Sequence, residues 1–200
     1  RPGVGVNPLR GQNNVQGAAD MGCQPHQGAG YFPVADEKIQ SFYTEKYGVV
    51  HPTKAGLKIP EIFDAAINKE VKAVWIIGED VVQTDPNSAH VAKAMNSLDL
   101  LGVQKIFMSE TAKHADVVLP GTTFLEKDGT FTNTERRVQR VNRAAKPLPG
   151  TKPDGVIVTE MMQKLGYNQP TYDADQVLAE IADVVPFFKG ITRERLGKLG

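Results

Sequence analysis

The chain has 200 residues, of which 40% are hydrophobic and 23% are charged, as is ordinary for one globular domain. Basic and acidic residues both number 23, so the net charge gives no pull toward nucleic acid or an anionic membrane. The single cysteine, Cys23, excludes an intrachain disulfide and any cysteine-built zinc site or iron–sulfur cluster within these residues. Because no apolar run has the length that spans a bilayer, we expect no membrane insertion.

Residues 1–34 are rich in glycine, asparagine, glutamine and proline, and we interpret them as an arm with one short helix over residues 12–21. Apolar residues at helical spacing predict a helix over residues 35–47 that stops at Gly48. Another helix is expected to begin at Pro60, a residue favoured in the first turn. The first part of the chain is therefore predicted to hold helices and loops but no strand.

The run over residues 71–78 is mostly apolar and has strand length, which predicts a strand buried on both faces. A polar loop follows. The next predicted elements are a helix over 88–98, a strand over 103–108, a helical turn over 110–114 and a strand over 116–119. Strands that alternate with helices favour parallel pairing through right-handed crossovers. The predicted fold class is α/β, an open and mostly parallel sheet flanked by helices, of the Rossmann-like type.

After Pro120 the pattern changes. Residues 129–139 alternate and carry β-branched side chains, which predicts an irregular hairpin or an extended loop. Two more helices are expected over residues 155–165 and 174–185. We therefore divide the chain into an arm over residues 1–34 and one α/β domain over residues 35–200.

Ligands of open parallel sheets bind at the carboxyl ends of the strands, and three loops occupy such places. In the loop over residues 78–85, Gly78 permits close backbone approach, and Asp80 and Thr84 offer an acceptor and a hydroxyl. A carboxylate suits the paired N–H donors of guanine or the diol of a ribose. The structural alternative is that Asp80 stabilises a turn and Asp85 caps the next helix. The loops that begin at Ser109 and Pro120 give weaker indications of ligand binding.

Several common signatures are absent from the sequence. No G-x-G-x-x-G follows a strand, no G-x-x-x-x-G-K-[ST] is present, and no G-x-S-x-G marks a nucleophilic serine. The four histidines have spacings that indicate no shared metal site. Ordinary dinucleotide binding, P-loop chemistry and serine hydrolysis are therefore disfavoured.

The richest local signal is the segment Gly5–Gly22, which contains five amide side chains and one guanidinium, from Arg10, between glycines. Such a composition is poor for a core and good for hydrogen bonding to a polar ligand. From composition alone, an asparagine-rich turn that caps a helix explains the segment equally well.

The same segment closely resembles the G-V-N-P-[LV]-R-G-Q-N-N-V-Q-G-A-x-D-M-G segment of molybdenum- or tungsten-dependent formate dehydrogenases in the dimethyl sulfoxide reductase family. Further motifs recur in that family in the same order and spacing, so the resemblance covers essentially the whole chain. These motifs lie within residues 78–85, 111–120, 126–137 and 190–192.

The resemblance implies the catalytic alpha subunit of an enzyme that oxidises formate to carbon dioxide. It also implies a bis(molybdopterin guanine dinucleotide) cofactor with molybdenum or tungsten, a 4Fe-4S cluster, and electron-transfer subunits as partners. Arg10 would face the substrate, because a guanidinium can pair bidentately with the two formate oxygens. The other implied contacts are to the cofactor: Gly11 and Gln12 on the pterin side, and Gly78, Glu79, Asp80, Thr84, Gln104 and Asp154 on the guanosine side.

Two positions depart from the family pattern. Lys105 stands where an acidic residue is common, and Gly121 stands where a small hydroxyl residue is common, so each departure puts one cofactor hydrogen bond in doubt. The cysteine or selenocysteine that binds the metal in the family, and the cluster cysteines, are not in this chain. No metal ligand is therefore assigned, and we interpret the chain as a fragment that by itself neither oxidises formate nor retains metal.

Two alternatives stay open. Relatives that reduce nitrate or other oxo-anions share the α/β core, although the R-G-Q-N-N-V-Q-G segment is more typical of formate enzymes. A non-catalytic nucleotide-binding or structural module could also use the same sheet. The lone thiol suits a cytoplasmic location, with the periplasm left open.

Overall fold

The computed structural model of the chain describes residues 3–5 and 11–198. Its α-helices, numbered α1 to α8 in chain order, are Val15–Asp20, Glu37–Tyr47, Ile59–Ile67, Val81–Thr84, Ser88–Ser97, Asp154–Lys164, Ala174–Val184 and Arg193–Gly197. Its strands, numbered β1 to β5, are Ala73–Ile77, Leu100–Lys105, Val117–Pro120, Gly129–Thr132 and Val138–Val141. Short 3₁₀ helices lie at Ala29–Tyr31, Thr111–His114, Phe124–Glu126 and Pro186–Phe188.

The described residues group into two compact units. The first unit draws on the described residues within 1–56, 128–142 and 173–200, and the second unit comprises residues 57–127 and 143–172. The predicted division into an arm over residues 1–34 and a domain over residues 35–200 stays a prediction.

The second unit contains a three-stranded parallel sheet in the order β1-β2-β3. Side chains from α3, α5 and the sheet form its core, in which Ala66, Val91, Ala94 and Val103 have no exposed surface. Alternation along β2 sends Leu101 and Val103 into that core. The predicted α/β class, with an open parallel sheet flanked by helices, is confirmed.

The first unit holds α1, α2, the antiparallel β4–β5 hairpin, α7 and α8. Asp36 caps α2 by accepting hydrogen bonds from the N–H groups of Lys38 and Ile39, and Gly48 ends the helix with a φ of 69°. Tyr43 of α2 packs against Val185 and Phe188, which follow α7. The predicted hairpin and the stop at Gly48 are confirmed.

The predicted helices correspond to α1, α2, α3, α5, α6 and α7, with ends that differ by a few residues. Three predictions need correction. Instead of being buried on both faces, β1 is an edge strand whose Ile77 is partly exposed, because only β2 pairs with it among the described residues. The loop after it contains α4, a short helix over Val81–Thr84.

The third correction concerns β2, which ends at Lys105 rather than Met108. The residues that pair with it, Ile77 of β1 and Pro120 of β3, end the ladder there. The apolar residues beyond, among them Phe107 with 74% of its surface exposed, lie outside the sheet. The predicted strand has six residues, as β2 does, but the apolar run placed it three residues too late in the chain.

Within residues 3–5 and 11–198, no helix combines the length and apolar character needed to cross a lipid bilayer.

Candidate functional site

The carboxyl ends of β1, β2 and β3 meet at one edge of the sheet in the second unit. Polar residues gather there, and we call this group the strand-end rim. Its members are Gly78, Glu79, Asp80, Thr84, Gln104, Lys105, Thr111, Gly121, Thr122, Lys127 and Asp154. The carboxyl edge is where open parallel sheets bind ligands.

Asp80, which follows β1, forms hydrogen bonds with the 3₁₀ helix that follows β2. Its Oδ1 accepts hydrogen bonds from the Thr111 hydroxyl at 2.6 Å and from the Thr111 N–H at 2.9 Å. Partial burial raises the pKa of the Asp80 carboxyl, but hydrogen bonds from Thr111 and Glu110 and the charge of Lys105 outweigh burial and leave that pKa below its ordinary value. The rim therefore holds an ionised carboxylate at neutral pH.

The loop that carries Asp80 also contains internal hydrogen bonds. Glu79 Oε1 accepts from the Thr84 hydroxyl at 2.9 Å and from the Asp80 N–H at 3.1 Å. The Gly78 carbonyl accepts from Lys105 Nζ at 2.9 Å, and Gly78 has a φ of 76°. Within this turn the bonding side chain is thus Glu79, while the Asp80 carboxylate reaches Thr111 in the next loop. The structural alternative also named Asp85 as the cap of the next helix, but Asn87 caps α5.

Lys105, the first departure from the family pattern, thus has a hydrogen-bond partner, the Gly78 carbonyl. Its ammonium bridges from the end of β2 to the backbone at the end of β1 and contributes positive charge near Asp80. An acidic side chain at this position could donate nothing to the Gly78 carbonyl.

A second polar group lies between β2 and the start of α6. Gln104 Nε2 donates to Asp154 Oδ1 at 2.7 Å, and Lys127 Nζ forms an ion pair with Asp154 Oδ2. Gly121, the second departure, leaves room for this carboxylate, because a Cβ there would lie 3.1 Å from Asp154 Oδ1. The structure therefore brings Gln104 and Asp154 into direct contact.

In the first unit, the amide-rich segment lines a polar cleft beside the β4–β5 hairpin. The cleft encloses about 550 Å³, including space open to solvent, and Gln12, Asn13 and Asn14 are among its lining residues. Asn14, with a φ of 59°, accepts from the N–H of Thr132 through its side-chain oxygen at 3.0 Å. The segment predicted to face a polar ligand thus lines a cleft of matching character.

One buried network in the first unit was not predicted. Asp20, with 2% of its surface exposed, accepts hydrogen bonds at its Oδ1 from the Tyr31 hydroxyl at 2.7 Å and from Gln16 Nε2 at 2.8 Å. Burial, together with the neighbouring Asp20 carboxylate, raises the pKa of the Tyr31 phenol. Arg136 lies over the Tyr31 ring, 5.5 Å from its centroid. Gln16 and Asp20 lie one helical turn apart, a spacing that could have paired them, but no periodic pattern connects either residue with Tyr31 or Arg136.

The predicted site residues fall in three places. Arg10 lies outside the described residues, and Gly11 and Gln12 belong to the first unit. The remaining members lie together in the strand-end rim: Gly78, Glu79, Asp80, Thr84, Gln104 and Asp154. Lys127, Thr122 and Thr111 were not predicted as cofactor contacts, although the loops that carry Thr111 and Thr122 were singled out. Whether any of these residues binds a cofactor stays a prediction.

Among the described residues, no group of three or more histidine, cysteine, aspartate or glutamate side chains is arranged to hold a metal ion. Cys23 is an exposed free thiol.

The parallel sheet with its polar strand-end rim belongs to the open α/β class of folds, in which ligands bind at the carboxyl ends of the strands. The profile of the molybdopterin oxidoreductase family matches residues 1–164, and the chain belongs to that family. A solved structure with a similar fold is acetylene hydratase from Pelobacter acetylenicus, with a TM-score of 0.59 and 22% identity; the match covers 80% of this chain and 23% of the hydratase.

Several similar curated proteins are named as formate dehydrogenases. The chain is 46% identical to F420-dependent formate dehydrogenase 1 subunit alpha of Methanococcus maripaludis, over 98% of this chain and 29% of that protein. It is 45% identical to the putative formate dehydrogenase YrhE of Bacillus subtilis, over 98% of this chain and 20% of that protein. The chain therefore spans between a fifth and a third of the length of these relatives.

Proposed function

We propose that the chain is the cofactor- and substrate-binding part of a formate dehydrogenase alpha subunit that oxidises formate to carbon dioxide. The observation that carries the proposal is the 45–46% identity to formate dehydrogenases across 98% of the chain, through the rim and the amide-rich segment alike. The cofactor we propose is bis(molybdopterin guanine dinucleotide) with molybdenum or tungsten.

The strand-end rim fits the guanosine end of such a cofactor. Two of its side chains are almost fully buried, yet Gln104 Oε1 and Thr122 Oγ1 have no hydrogen-bond partner among the described residues. Buried polar atoms are nearly always paired, so these two atoms support a missing polar ligand. Asp80 and Asp154 add carboxylate acceptors for N–H or ribose hydroxyl donors, and Glu79 and Thr84 complete the turn that carries Asp80.

The amide cleft fits the pterin side of the proposal. Gln12 lines it, and amide side chains can donate to and accept from the mixed ring edges of a pterin. Gly11 has no atom within 4 Å of the position of a Cβ, so its backbone is open to close approach by a ligand. Gly78 would serve the guanosine side in the same way.

When bound, the cofactor metal supplies the acceptor for the two electrons that formate gives up. Arg10 would hold the two formate oxygens bidentately and orient the C–H bond. The guanidinium would also offset the desolvation of the anion as it leaves water. The metal ligand, the 4Fe-4S cluster and the contacts with electron-transfer subunits would come from other parts of the polypeptide.

The role of Arg10 can be tested in the complete enzyme with Arg10→Ala and Arg10→Lys. We expect Arg10→Ala to lower kcat/KM for formate by about a hundredfold or more, the size of losing one oriented charged donor. Arg10→Lys retains the charge but not the bidentate geometry, so its kcat/KM should lie between those of the wild type and Arg10→Ala. Metal and pterin contents should stay at wild-type levels in both variants.

Unchanged formate turnover in Arg10→Ala would remove its assigned role. Loss of metal and pterin along with activity would instead make Arg10 a cofactor-binding residue.

A further inference from the structure

In the Gln104 side chain, the amide nitrogen is hydrogen-bonded and the amide oxygen is not. Its Nε2 donates to Asp154 Oδ1 at 2.7 Å, whereas its Oε1 is buried without a hydrogen-bond partner among the described residues. Only 1% of the Gln104 surface is exposed, so water gives this oxygen little compensation. A buried acceptor of this kind points to a donor on a ligand.

The direction in which that amide faces depends on Asp154. An amide side chain can present either its oxygen or its nitrogen, and the partner decides which. Because an ionised carboxylate only accepts hydrogen bonds, Asp154 draws the Gln104 nitrogen toward itself and turns the oxygen away. The acceptor character of the site thus depends on a fixed carboxylate.

Lys127 holds that carboxylate from the other side. Its ammonium forms an ion pair with Asp154 Oδ2 and lies 3.4 Å from the Thr122 carbonyl oxygen. The Thr122 hydroxyl oxygen, like Gln104 Oε1, is a buried polar atom of the strand-end rim without a partner among the described residues, and Thr122 is 2% exposed. Lys127 therefore connects Asp154 with Thr122, which carries the other unpartnered buried atom of the strand-end rim.

We propose that Lys127 is a positioning residue which, through Asp154, fixes the Gln104 amide so that the site selects a base with adjacent N–H donors. The inference rests on the proposed function, because it assigns this site to the guanine end of the cofactor. Guanine offers an N–H and a neighbouring amino group, whereas hypoxanthine lacks the amino group. Without the ammonium the carboxylate can turn, the amide loses its fixed orientation, and base selectivity falls together with affinity.

The test uses the complete polypeptide purified free of cofactor, with GDP and IDP as probes in equilibrium dialysis. The signal counted is the binding component that Asp154→Asn removes, which separates this site from any other nucleotide site. Lys127→Met removes the charge at similar length, and Lys127→Arg restores it. Lys69→Met is the matched control, since Lys69 is an exposed, paired lysine of the same unit that lies close to Asp99, before β2.

For the wild type and Lys69→Met we expect GDP to bind about tenfold more tightly than IDP, the factor of roughly one hydrogen bond, or 1.4 kcal/mol. Lys127→Met should weaken GDP binding about tenfold and reduce the GDP-to-IDP ratio to about two or less. Lys127→Arg should restore both values to within about threefold. The thermal unfolding midpoint shows whether Lys127→Met is folded. If it is not, Lys127→Gln replaces it in the experiment.

Wild-type affinity and base ratio in a folded Lys127→Met would overturn the inference, as would failure of Lys127→Arg to restore the ratio. Absence of any GDP component sensitive to Asp154→Asn would overturn it as well. The proposed function fails in a different measurement, namely when the cofactor-loaded enzyme does not oxidise formate.

Discussion

Thr111 gives both its hydroxyl and its backbone N–H to one oxygen of Asp80, at 2.6 and 2.9 Å. The same Thr111 hydroxyl oxygen accepts from the N–H of Val82 at 3.1 Å, and Thr111 is fully buried. One side chain thus joins the loop after β1 to the loop after β2 and sets where the Asp80 carboxylate lies at the strand-end rim.

Replacing Thr111 by valine keeps the shape of the side chain but removes the hydroxyl. We expect a loss of about 1–3 kcal/mol in the free energy of unfolding, because the Val82 N–H and the Asp80 carboxylate each lose a partner in a half-buried place. Urea unfolding of the two proteins measures the difference. Thr111→Ser retains the hydroxyl, so its free energy of unfolding should fall clearly less than that of Thr111→Val. Equal stability of the serine and valine variants would contradict the account.

Stability in acid should depend on Asp80. A carboxyl whose pKa is lower in the folded state stabilises the fold above its unfolded pKa and loses that contribution as the pH falls through its folded pKa. The free energy of unfolding should therefore drop as the pH falls below the ordinary Asp80 value of 3.8, and Asp80→Asn should flatten this drop. Glu194→Gln, at an exposed pair with Lys198, is the control and should keep the wild-type slope. An unchanged slope in Asp80→Asn would contradict this prediction.

Gly78 is expected to resist substitution because of its backbone rather than its surroundings. Its φ is 76°, and no atom lies within 4 Å of the position of a Cβ. Gly78→Ala should therefore cost about 1–2 kcal/mol from left-handed strain, while Gly78→Asn should cost less. Gly129→Ala is the matched control, because its Cβ also meets open space but its φ is not positive. Thermal or urea unfolding of the three variants decides, and an alanine at residue 78 as harmless as one at residue 129 would contradict the strain argument.

The buried hydrogen bond of Tyr31 to Asp20 should contribute more stability than the exposed hydrogen bond of Tyr47 to Glu180. Tyr31→Phe leaves Asp20 with Gln16 as its remaining side-chain donor in the network, so we expect a loss of about 1–3 kcal/mol in the free energy of unfolding. Tyr47→Phe removes an exposed hydrogen bond to Glu180 and should cost less than about 1 kcal/mol. Equal losses in the two variants would show that the Asp20 network adds no stability.

The sequence predicted the end of α2 and the strands of the parallel sheet because the signals for both are local. Gly48 ends α2 as a left-handed glycine, and Asp80 lies where a strand gives way to a loop. The errors also have local causes. The apolar Ile106 and Phe107 extended a predicted strand beyond the residues that pair with it, and a helix as short as α4 leaves too few turns for a periodic pattern.

The site was predicted only in part. The resemblance assigned Gln104 and Asp154 separately, but no pattern shows that two residues fifty positions apart share a hydrogen bond. Lys127 went unassigned for the same reason, since an ion pair between a loop residue and the first residue of a distant helix leaves no periodic signal. Arg10, the proposed substrate residue, lies outside the described residues, so its role stays a prediction.

The central claim, that this chain belongs to an enzyme which oxidises formate, is tested most directly by formate-dependent dye reduction with the complete polypeptide. Molybdenum or tungsten and the GMP released on hydrolysis are measured on the same preparation. The account predicts formate-dependent reduction by the loaded protein, and neither activity nor retained metal for the 200-residue chain alone. A complete protein that carries metal and pterin but is inert toward formate while oxidising reduced dye with nitrate would contradict the claim, as would one that binds no cofactor.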